Sequence, residues 1–334
     1  DESAGAAAVA AIAGNIHHLV RIEDDPDASR TLRSVVRHFD GQCADTGAFG
    51  FYRLAEVVRK YVPVVLSGDG GDEFFGGYTT YKASRWAHAL AGLVPTPLAQ
   101  VLGRAAYRLS AHDETRLSTA AAVYRFACGL AAGREKAHVQ WRRLVPQFWL
   151  PELYDTALAP YATCSPFLEY ESYLESSGGK CIENCLLADQ QFHLQSVLTK
   201  VDAMSMAHSL EVRVPLLERR VMEFAGRCDL RLLTPRVGQG KLLLRATARP
   251  LGAPHSITEG GKRGFNVPIA QLLRSSLAPL ADQYLDEEAD RLGYWLRPHV
   301  VRSLWQEHKT HRANHAFGLW PILTLALWLA DLHD

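Results

Sequence analysis

Residues 64–78 read VVLSGDGGDEFFGGY, a short apolar run followed by glycines and polar side chains. The polar groups that could do chemistry there are Ser67, Asp69, Asp72 and Glu73. Carboxylates beyond the end of a parallel strand suit a hard cation such as Mg²⁺, held between the protein and phosphate oxygens. The segment therefore predicts a metal-nucleotide loop. From spacing alone, a Gly/Asp turn with solvated acids is the alternative.

The backbone of this loop can take conformations that other residues avoid, because five of its residues lack a Cβ atom: Gly68, Gly70, Gly71, Gly76 and Gly77. The run from Val64 to Leu66 has no polar alternation, which predicts a short strand buried on both faces. The segment matches neither a phosphate loop ending in Gly-Lys-Ser/Thr nor the GxGxxG fingerprint. A less common nucleotide chemistry is therefore expected.

Two further stretches carry more charge than ordinary core helices. Residues 198–218 read LTKVDAMSMAHSLEVRVPLLE, and Arg213 falls where the following proline should end a helix. Its guanidinium could grip a carboxylate or phosphate, or form a structural ion pair with Glu211. Residues 260–268 read GGKRGFNVP, where Lys262 could close over an anionic substrate. A solvated basic loop is the alternative for that stretch.

The elements that must position these groups follow an alternating order. The alanine-rich start predicts a helix over 3–14, and helical patterns are expected over 28–38 and 52–61. Alternation predicts a strand over 16–22, before the apolar strand at 64–66. This order is typical of a parallel α/β sheet with right-handed crossovers. Beyond residue 80 nearly every segment has helical periodicity, including a buried terminal helix from Leu319 to Leu329, and residues 155–181 are the best loop candidate.

Composition limits the class of protein. The chain has 334 residues, 48% of them apolar, which is enough for a large core. Lys plus Arg and Asp plus Glu both total 36, so the net charge is zero. The chain therefore has no excess of positive charge that would favour nucleic acid or an anionic membrane. The six cysteines are too sparse for a disulfide framework and no signal peptide opens the chain, so we expect reduced thiols and a cytoplasmic protein.

Three segments together resemble the synthetase domain of glutamine-hydrolysing asparagine synthetases: LSGDGGDEFFGGY, LTKVDAMSMAHSLEVRVPLLE and KRGFNVP. They occur in the order and spacing of that family, and the resemblance covers nearly the entire chain. It implies an α/β domain of the ATP pyrophosphatase type, also called adenine nucleotide α-hydrolase-like. Such a domain activates a carboxylate, here expected to be the side chain of aspartate, as an acyl-adenylate. Ammonia derived from glutamine then displaces AMP.

The resemblance also implies roles for single residues. Leu66, Ser67 and Gly68 resemble the positions that meet the adenylate, and Asp72 resembles the acid that holds Mg²⁺. Asp69 stands where most relatives have glutamate, an acid thought to steer the amine, and Lys262 looks like the lysine that stabilises the adenylate phosphate. The expected catalytic residues are Asp69, Lys262 and Glu73. The expected substrate-binding residues are Arg213, Gly70 and Gly71.

Several departures accompany the resemblance. The family's pyrophosphate-binding SGGxDS sequence is missing, and SSGGK at 176–180 shares only glycines with it. FDGQCADTGAF at 39–49 departs from the family's Asp-Glu-Pro run. We therefore expect weak ATP binding by this chain alone.

The resulting expectation is an N-terminally truncated domain without the glutaminase half. Residues 1–80 would form part of the nucleotide-binding core, and residues 81–334 the helical remainder. Two alternatives stay open for the function: a relative that closes β-lactam rings or peptide macrocycles with an internal amine, and an incomplete fragment that acts as a binding module. A homodimer is also left open.

Overall fold

A computed structural model describes residues 3–21, 27–41, 43–110, 119–176, 181–235, 239–260 and 267–332. The described residues are mostly helical. Their α-helices are α1 (Ser3–Ile12), α2 (Ala28–Phe39), α3 (Gly47–Val58), α4 (Gly71–Phe74), α5 (Thr79–Leu90), α6 (Thr96–Ser110), α7 (Thr119–Ala132), α8 (Ala137–Gln140), α9 (Leu150–Leu153), α10 (Leu168–Ser176), α11 (Cys181–Ala188), α12 (Leu194–Met206), α13 (Arg219–Arg227), α14 (Leu230–Leu233), α15 (Leu242–Ala248), α16 (His255–Thr258), α17 (Ile269–Arg274), α18 (Ala278–Asp282), α19 (Pro298–Lys309) and α20 (Ala316–Asp331).

The sheet of the described residues consists of two short parallel strands, β1 (Val64–Leu66) and β2 (Glu211–Arg213). Their register pairs Val64 with Glu211 and Leu66 with Arg213. The predicted strand at 64–66 is confirmed, but its predicted burial on both faces is wrong, since Leu66 is 73% exposed. Within the described residues β1 has a neighbour on one edge.

The strand predicted over 16–22 is wrong for its described part, because residues 16–21 form no strand. Ile16 is 86% exposed, so the alternating pattern meets no partner strand there. The partner of β1 instead comes from the far half of the chain. The predicted βαβ order therefore fails for the described residues. A parallel sheet is confirmed in reduced form, and the ATP pyrophosphatase type stays a prediction.

The helical predictions agree better with the structure. The helices predicted over 3–14 and 28–38 are observed as α1 and α2, whereas α3 begins five residues before its predicted start. The loop predicted over 155–181 is wrong in its second half, where α10 forms. Tyr170 and Leu174, one helical turn apart, are both buried on one face of α10, and this packing stabilises the helix.

The largest core surrounds the terminal helix α20. Leu319, Trp320 and Leu323 are completely buried in it, and Trp305 of α19 is buried beside them. This confirms the predicted buried terminal helix. Among the described residues no helix is both long and apolar enough to cross a membrane.

A second core lies behind the glycine-rich loop. It includes Phe75, Tyr81, Tyr170 and Leu186, from the loop, α5, α10 and α11. Helices α11 and α12 form one continuous helical segment, interrupted by a π-helical turn at Asp189–His193. Insertions of this kind are frequent at functional sites. The second core therefore fixes both the back of the loop and the π-helical turn.

Candidate active site

The loop after β1 begins at the point where both strands end. The backbone N–H of Ser67 donates to the carbonyl oxygen of Arg213 at 2.8 Å, which extends the parallel ladder by one bond. The Ser67 hydroxyl donates to the carboxylate of Asp69. Gly68 is exposed, and a Cβ atom there would meet no atom within 4 Å. The Ser67–Asp69 hydrogen bond therefore closes the first turn, and Gly68 lies on its solvent-exposed side.

Gly70 turns the chain from this loop into α4. Its φ is +80°, and a Cβ atom there would lie 2.2 Å from Cδ2 of Leu217. A side chain at this position would be strained by both conformation and space. The glycine therefore lets the loop pack closely against the segment that follows β2.

Asp72, in the first turn of α4, pairs with a lysine that the sequence analysis did not single out. The Lys241 ammonium lies 3.0 Å from Oδ1 of Asp72, and both side chains are largely buried. The Lys241 backbone N–H donates to the carbonyl oxygen of Phe75 at 3.0 Å. Gly77 makes this pair possible, because a Cβ atom there would lie 1.8 Å from Oδ1 of Asp72. The only local signal for Lys241 is a preceding glycine, Gly240, before an apolar run.

Glu73 points away from the loop surface and into the second core. Only 2% of it is exposed, and Tyr78 donates its phenolic hydrogen to Oε1 at 2.6 Å. Gln190 donates to the Glu73 carbonyl oxygen at 3.2 Å. Burial raises the pKa of Glu73 above its ordinary value, and the bond from Tyr78 opposes that shift in part. Glu73 therefore anchors α4 to the π-helical turn, while its catalytic assignment stays a prediction.

A buried polar network continues from Tyr78. The guanidinium carbon of Arg142 lies 4.7 Å from the centre of the Tyr78 ring, a cation–π contact. Arg142 also donates to Asp189 at 2.7 Å and approaches Nε2 of His193 at 3.0 Å. Nε2 of His138 lies 3.1 Å from the same carboxylate oxygen of Asp189. The network therefore joins α4, α8 and the π-helical turn into one hydrogen-bonded unit.

Asp189 is the centre of this network and is completely buried. Burial alone would raise its pKa, but His138 and Arg142 outweigh that effect, and the pKa of Asp189 is well below its ordinary value. Burial, reinforced by the charge of Arg142, lowers the pKa of His193 to about 3. At neutral pH Asp189 is therefore a carboxylate and His193 is uncharged.

Arg213 lies at the end of β2, so its predicted position at a helix end is wrong. Val212 and Val214 are β-branched, and pairing with β1 makes the segment extended. The Arg213 Nε donates to Oε1 of Glu211 at 2.7 Å, and both side chains are exposed. This is the structural ion pair that the sequence left open. The register nevertheless places Arg213 beside Leu66, at the edge where the loop starts.

Lys262, the other predicted catalytic residue, lies outside the described residues. Its role stays a prediction. The predicted site residues that the structure brings together are therefore those of the loop itself, with Arg213 at its start: Leu66, Ser67, Gly68, Asp69, Gly70, Gly71 and Asp72.

Two cavities flank Tyr78. The smaller, of about 210 Å³, lies against Gly77 and presents Lys82, Lys241 and Arg245. The larger, of about 900 Å³, includes Arg142 and His193 in its wall. Lys241 is paired with Asp72, and Lys82 and Arg245 add further positive charge at this cavity, which favours an anionic ligand such as a phosphate group.

The fit of Mg²⁺ depends on the loop acids. The described residues contain no group of three or more His, Cys, Asp or Glu side chains arranged to hold a metal ion. Mg²⁺ commonly needs only one or two protein carboxylates when phosphate oxygens and waters complete its shell. Asp72, with Asp69 in the same loop, meets that smaller requirement.

A family model described as asparagine synthase matches residues 1–330 of the chain. The chain therefore belongs to the asparagine synthase family, which confirms the resemblance read from the motifs.

Individual relatives agree. The chain is 27% identical over 319 residues to a putative glutamine-hydrolysing asparagine synthetase of Mycobacterium tuberculosis H37Rv, covering 94% of this chain and 46% of that protein. It is 26% identical over 325 residues to glutamine-hydrolysing asparagine synthetase 1 of Bacillus subtilis 168, covering 95% and 48%. A third match is the amidase ChyE of Penicillium rubens, 37% identical over 84 residues, which are 25% of this chain and 12% of ChyE. The chain spans about half the length of the two synthetases.

Proposed function

We propose that the chain is the carboxylate-activating part of an ATP-dependent, amide-forming ligase. The observation that carries the proposal is the Asp72–Lys241 pair, which joins the segment beyond two parallel strands to a cavity lined by three cations. Membership of the asparagine synthase family supports the reaction class, and the side chain of aspartate is the first candidate for the activated acid.

The proposed first step forms an acyl-adenylate. A carboxylate oxygen of the acid attacks the α-phosphorus of ATP, and the bond from that phosphorus to the β-phosphate bridging oxygen breaks. Pyrophosphate leaves with the bonding electron pair. Lys241, Lys82 and Arg245 supply positive charge where pyrophosphate forms. Mg²⁺, when held by Asp72 and phosphate oxygens, would neutralise part of the same charge.

The proposed second step forms the amide. An amine nitrogen attacks the acyl carbon, the bond from that carbon to the AMP oxygen breaks, and a base takes the excess proton. Asp69 is our candidate for the acid that orients the amine, and the hydrogen bond from Ser67 to its carboxylate, beside the exposed Gly68, supports this role. Ammonia released from glutamine is the expected nucleophile. Lys262 is the expected cation for the adenylate phosphate.

Acid-dependent exchange of labelled pyrophosphate into ATP tests the first step, with protein made from the entire reading frame. We expect exchange with aspartate, and a loss of about 100-fold in Asp72→Asn and in Lys262→Ala. The control is Glu223→Gln, whose partners Arg219 and Arg227 lie on the exposed face of α13. If no acid supports exchange, the proposed function is wrong. If exchange is undiminished in Asp72→Asn, the proposed site is wrong.

A further inference from the structure

The larger cavity is lined by Arg142 and His193, which both contact Tyr78, whereas Tyr78 itself lines the cavity with the three cations. The volume of the larger cavity is about 900 Å³, close to the upper end of the range for pockets that hold drug-sized ligands, about 300–1,000 Å³. The wall is built by the connection between α2 and α3, the end of α8, the start of α10, the π-helical turn and α12. The free side chain of aspartate would fill only a small part of it.

Large apolar side chains dominate this wall. They are Phe39, Trp141, Leu144, Phe167, Leu168 and Phe192. The Phe192 ring stacks on that of Tyr170 at 5.2 Å between centres, so this part of the wall is held firmly. Aromatic walls of this size bind flat or branched apolar groups by burying their surface.

Two of the cations around the cavity are paired with carboxylates, and the lining also includes the acidic side chain of Glu169. Lys200 lies 2.8 Å from Asp45, and Arg142 lies 2.7 Å from Asp189. His193 is uncharged at neutral pH, because its pKa is lowered to about 3. The cavity therefore lacks the excess of positive charge that a second nucleotide would need, and suits a ligand part of low charge.

The cavity is close to the loop. The Tyr78 ring lies 5.5 Å from the His193 ring and 4.7 Å from the guanidinium carbon of Arg142, and both of these residues line the cavity. Tyr78 in turn holds Glu73 of α4 and also lines the cation-rich cavity. One layer of side chains thus separates the phosphate side of the site from the apolar cavity.

We propose that this cavity binds the body of the acid that the ligase activates, and that the acid carries a bulky aromatic or branched aliphatic group. The inference rests on the proposed function for the activation of that acid, but the binding itself is measurable without ATP. An aspartyl carboxylate with an apolar group on its nitrogen combines both requirements. N-phenylacetyl-L-aspartate is therefore the probe, with L-aspartate as the small comparison.

Two substitutions on different helices would fill the cavity. Ser196→Trp places a large ring on α12, and Leu168→Trp places one at the start of α10; both native residues are exposed and line the cavity. Gln195→Trp is the matched control, since Gln195 is exposed on the same helix but does not line the cavity. Circular dichroism and the unfolding midpoint check that all three variants fold.

Calorimetric titration then decides the inference. We expect the unsubstituted protein to bind the probe at least about tenfold more tightly than L-aspartate, and both cavity variants to lose about tenfold in affinity for the probe. Gln195→Trp should bind the probe normally. Equal binding of probe and aspartate, or equal effects of Ser196→Trp and Gln195→Trp, would overturn the inference.

The exchange assay separates this outcome from the proposed function. Exchange with aspartate that the cavity variants leave unchanged, together with no preference for the probe, would refute the cavity assignment and leave the ligase standing. Binding of the probe that depends on the cavity, without exchange for any acid, would refute the ligase and leave the binding site standing.

Discussion

The ammonium group of Lys241 lies 3.0 Å from Oδ1 of Asp72, and a single glycine, Gly77, leaves the space for this contact. The two charged residues come from opposite halves of the sequence. The pair combines a carboxylate suited to a metal ion with a cation suited to phosphate oxygens. In the proposed function, both groups would contact a metal-bound triphosphate.

Removal of the Lys241 charge should weaken the binding of ATP. In Lys241→Met the small cavity loses one of its three cations, and the KM for ATP in pyrophosphate exchange should rise about tenfold. The control is Arg249→Met, whose partner Glu259 is exposed. An unchanged KM in Lys241→Met, or the same rise in both variants, would contradict a phosphate-binding role for Lys241.

The Asp72–Lys241 pair should also be sensitive to volume at Gly77. A Cβ atom there would lie 1.8 Å from Oδ1 of Asp72 and 2.3 Å from Cε of Lys241, so Gly77→Ala must displace the pair. We expect a loss of about 1–3 kcal/mol in the free energy of unfolding, measured in urea. Gly68→Ala is the control, since a Cβ atom there meets nothing within 4 Å. Equal stability of Gly77→Ala and Gly68→Ala would show that a Cβ atom at position 77 does not crowd the Asp72–Lys241 pair.

The buried network should be costly to break. Asp189→Asn removes the carboxylate from between Arg142 and His138 and leaves the largely buried guanidinium of Arg142 without its anion. We expect the free energy of unfolding of Asp189→Asn to fall by about 3–5 kcal/mol. Asp45→Asn breaks a pair whose aspartate is half exposed and should cost less than about 1 kcal/mol. Chemical denaturation of both variants at neutral pH measures the difference. Similar losses of stability in the two variants would contradict the burial of the Arg142–Asp189 pair.

Glu73 should make the stability depend on pH in a definite direction. Its pKa is raised in the folded protein, so its contribution is fully present below the pKa of the unfolded chain, about 4.3, and is lost as the pH rises through the folded value. In Glu73→Gln this loss is absent. The free energy of unfolding of the variant relative to the unsubstituted protein should therefore increase between about pH 4 and pH 8.

Urea titrations at several pH values measure this difference. Glu152→Gln is the control, because Glu152 is exposed and lies far from the loop in the chain. If the curves of Glu73→Gln and the unsubstituted protein run parallel with pH, burial does not govern the ionisation of Glu73.

The sequence predicted the loop because its chemistry is local. The glycines and acids that predict a turn carrying carboxylates all lie within residues 64–78. Lys241 could not be found in the same way, since its role comes only from a long-range contact with Asp72. Gln190 gives no local signal either: its side chain binds the carbonyl oxygen of Glu73, and a backbone oxygen leaves no trace in residue types.

The strand β2 was missed for a related reason. Residues 198–218 have helical periodicity, and Glu211 and Arg213 resemble a charged helix end. Hydrogen bonds to β1 override that local preference over three residues. In contrast, α2 was predictable from its amphipathic periodicity, α1 from its alanine content and α20 from its continuous apolar run.

The pairing of β1 with β2 has a consequence for synthesis of the chain. Residues 64–66 leave the ribosome long before residues 211–213, and closing so large a loop carries an entropic cost that later contacts must offset. Until that pairing forms, the Ser67 amide has no strand partner and the acids have no fixed direction. A nascent or proteolysed chain that stops short of β2 can therefore assemble helices early, yet cannot form the paired strands from which the glycine-rich loop begins.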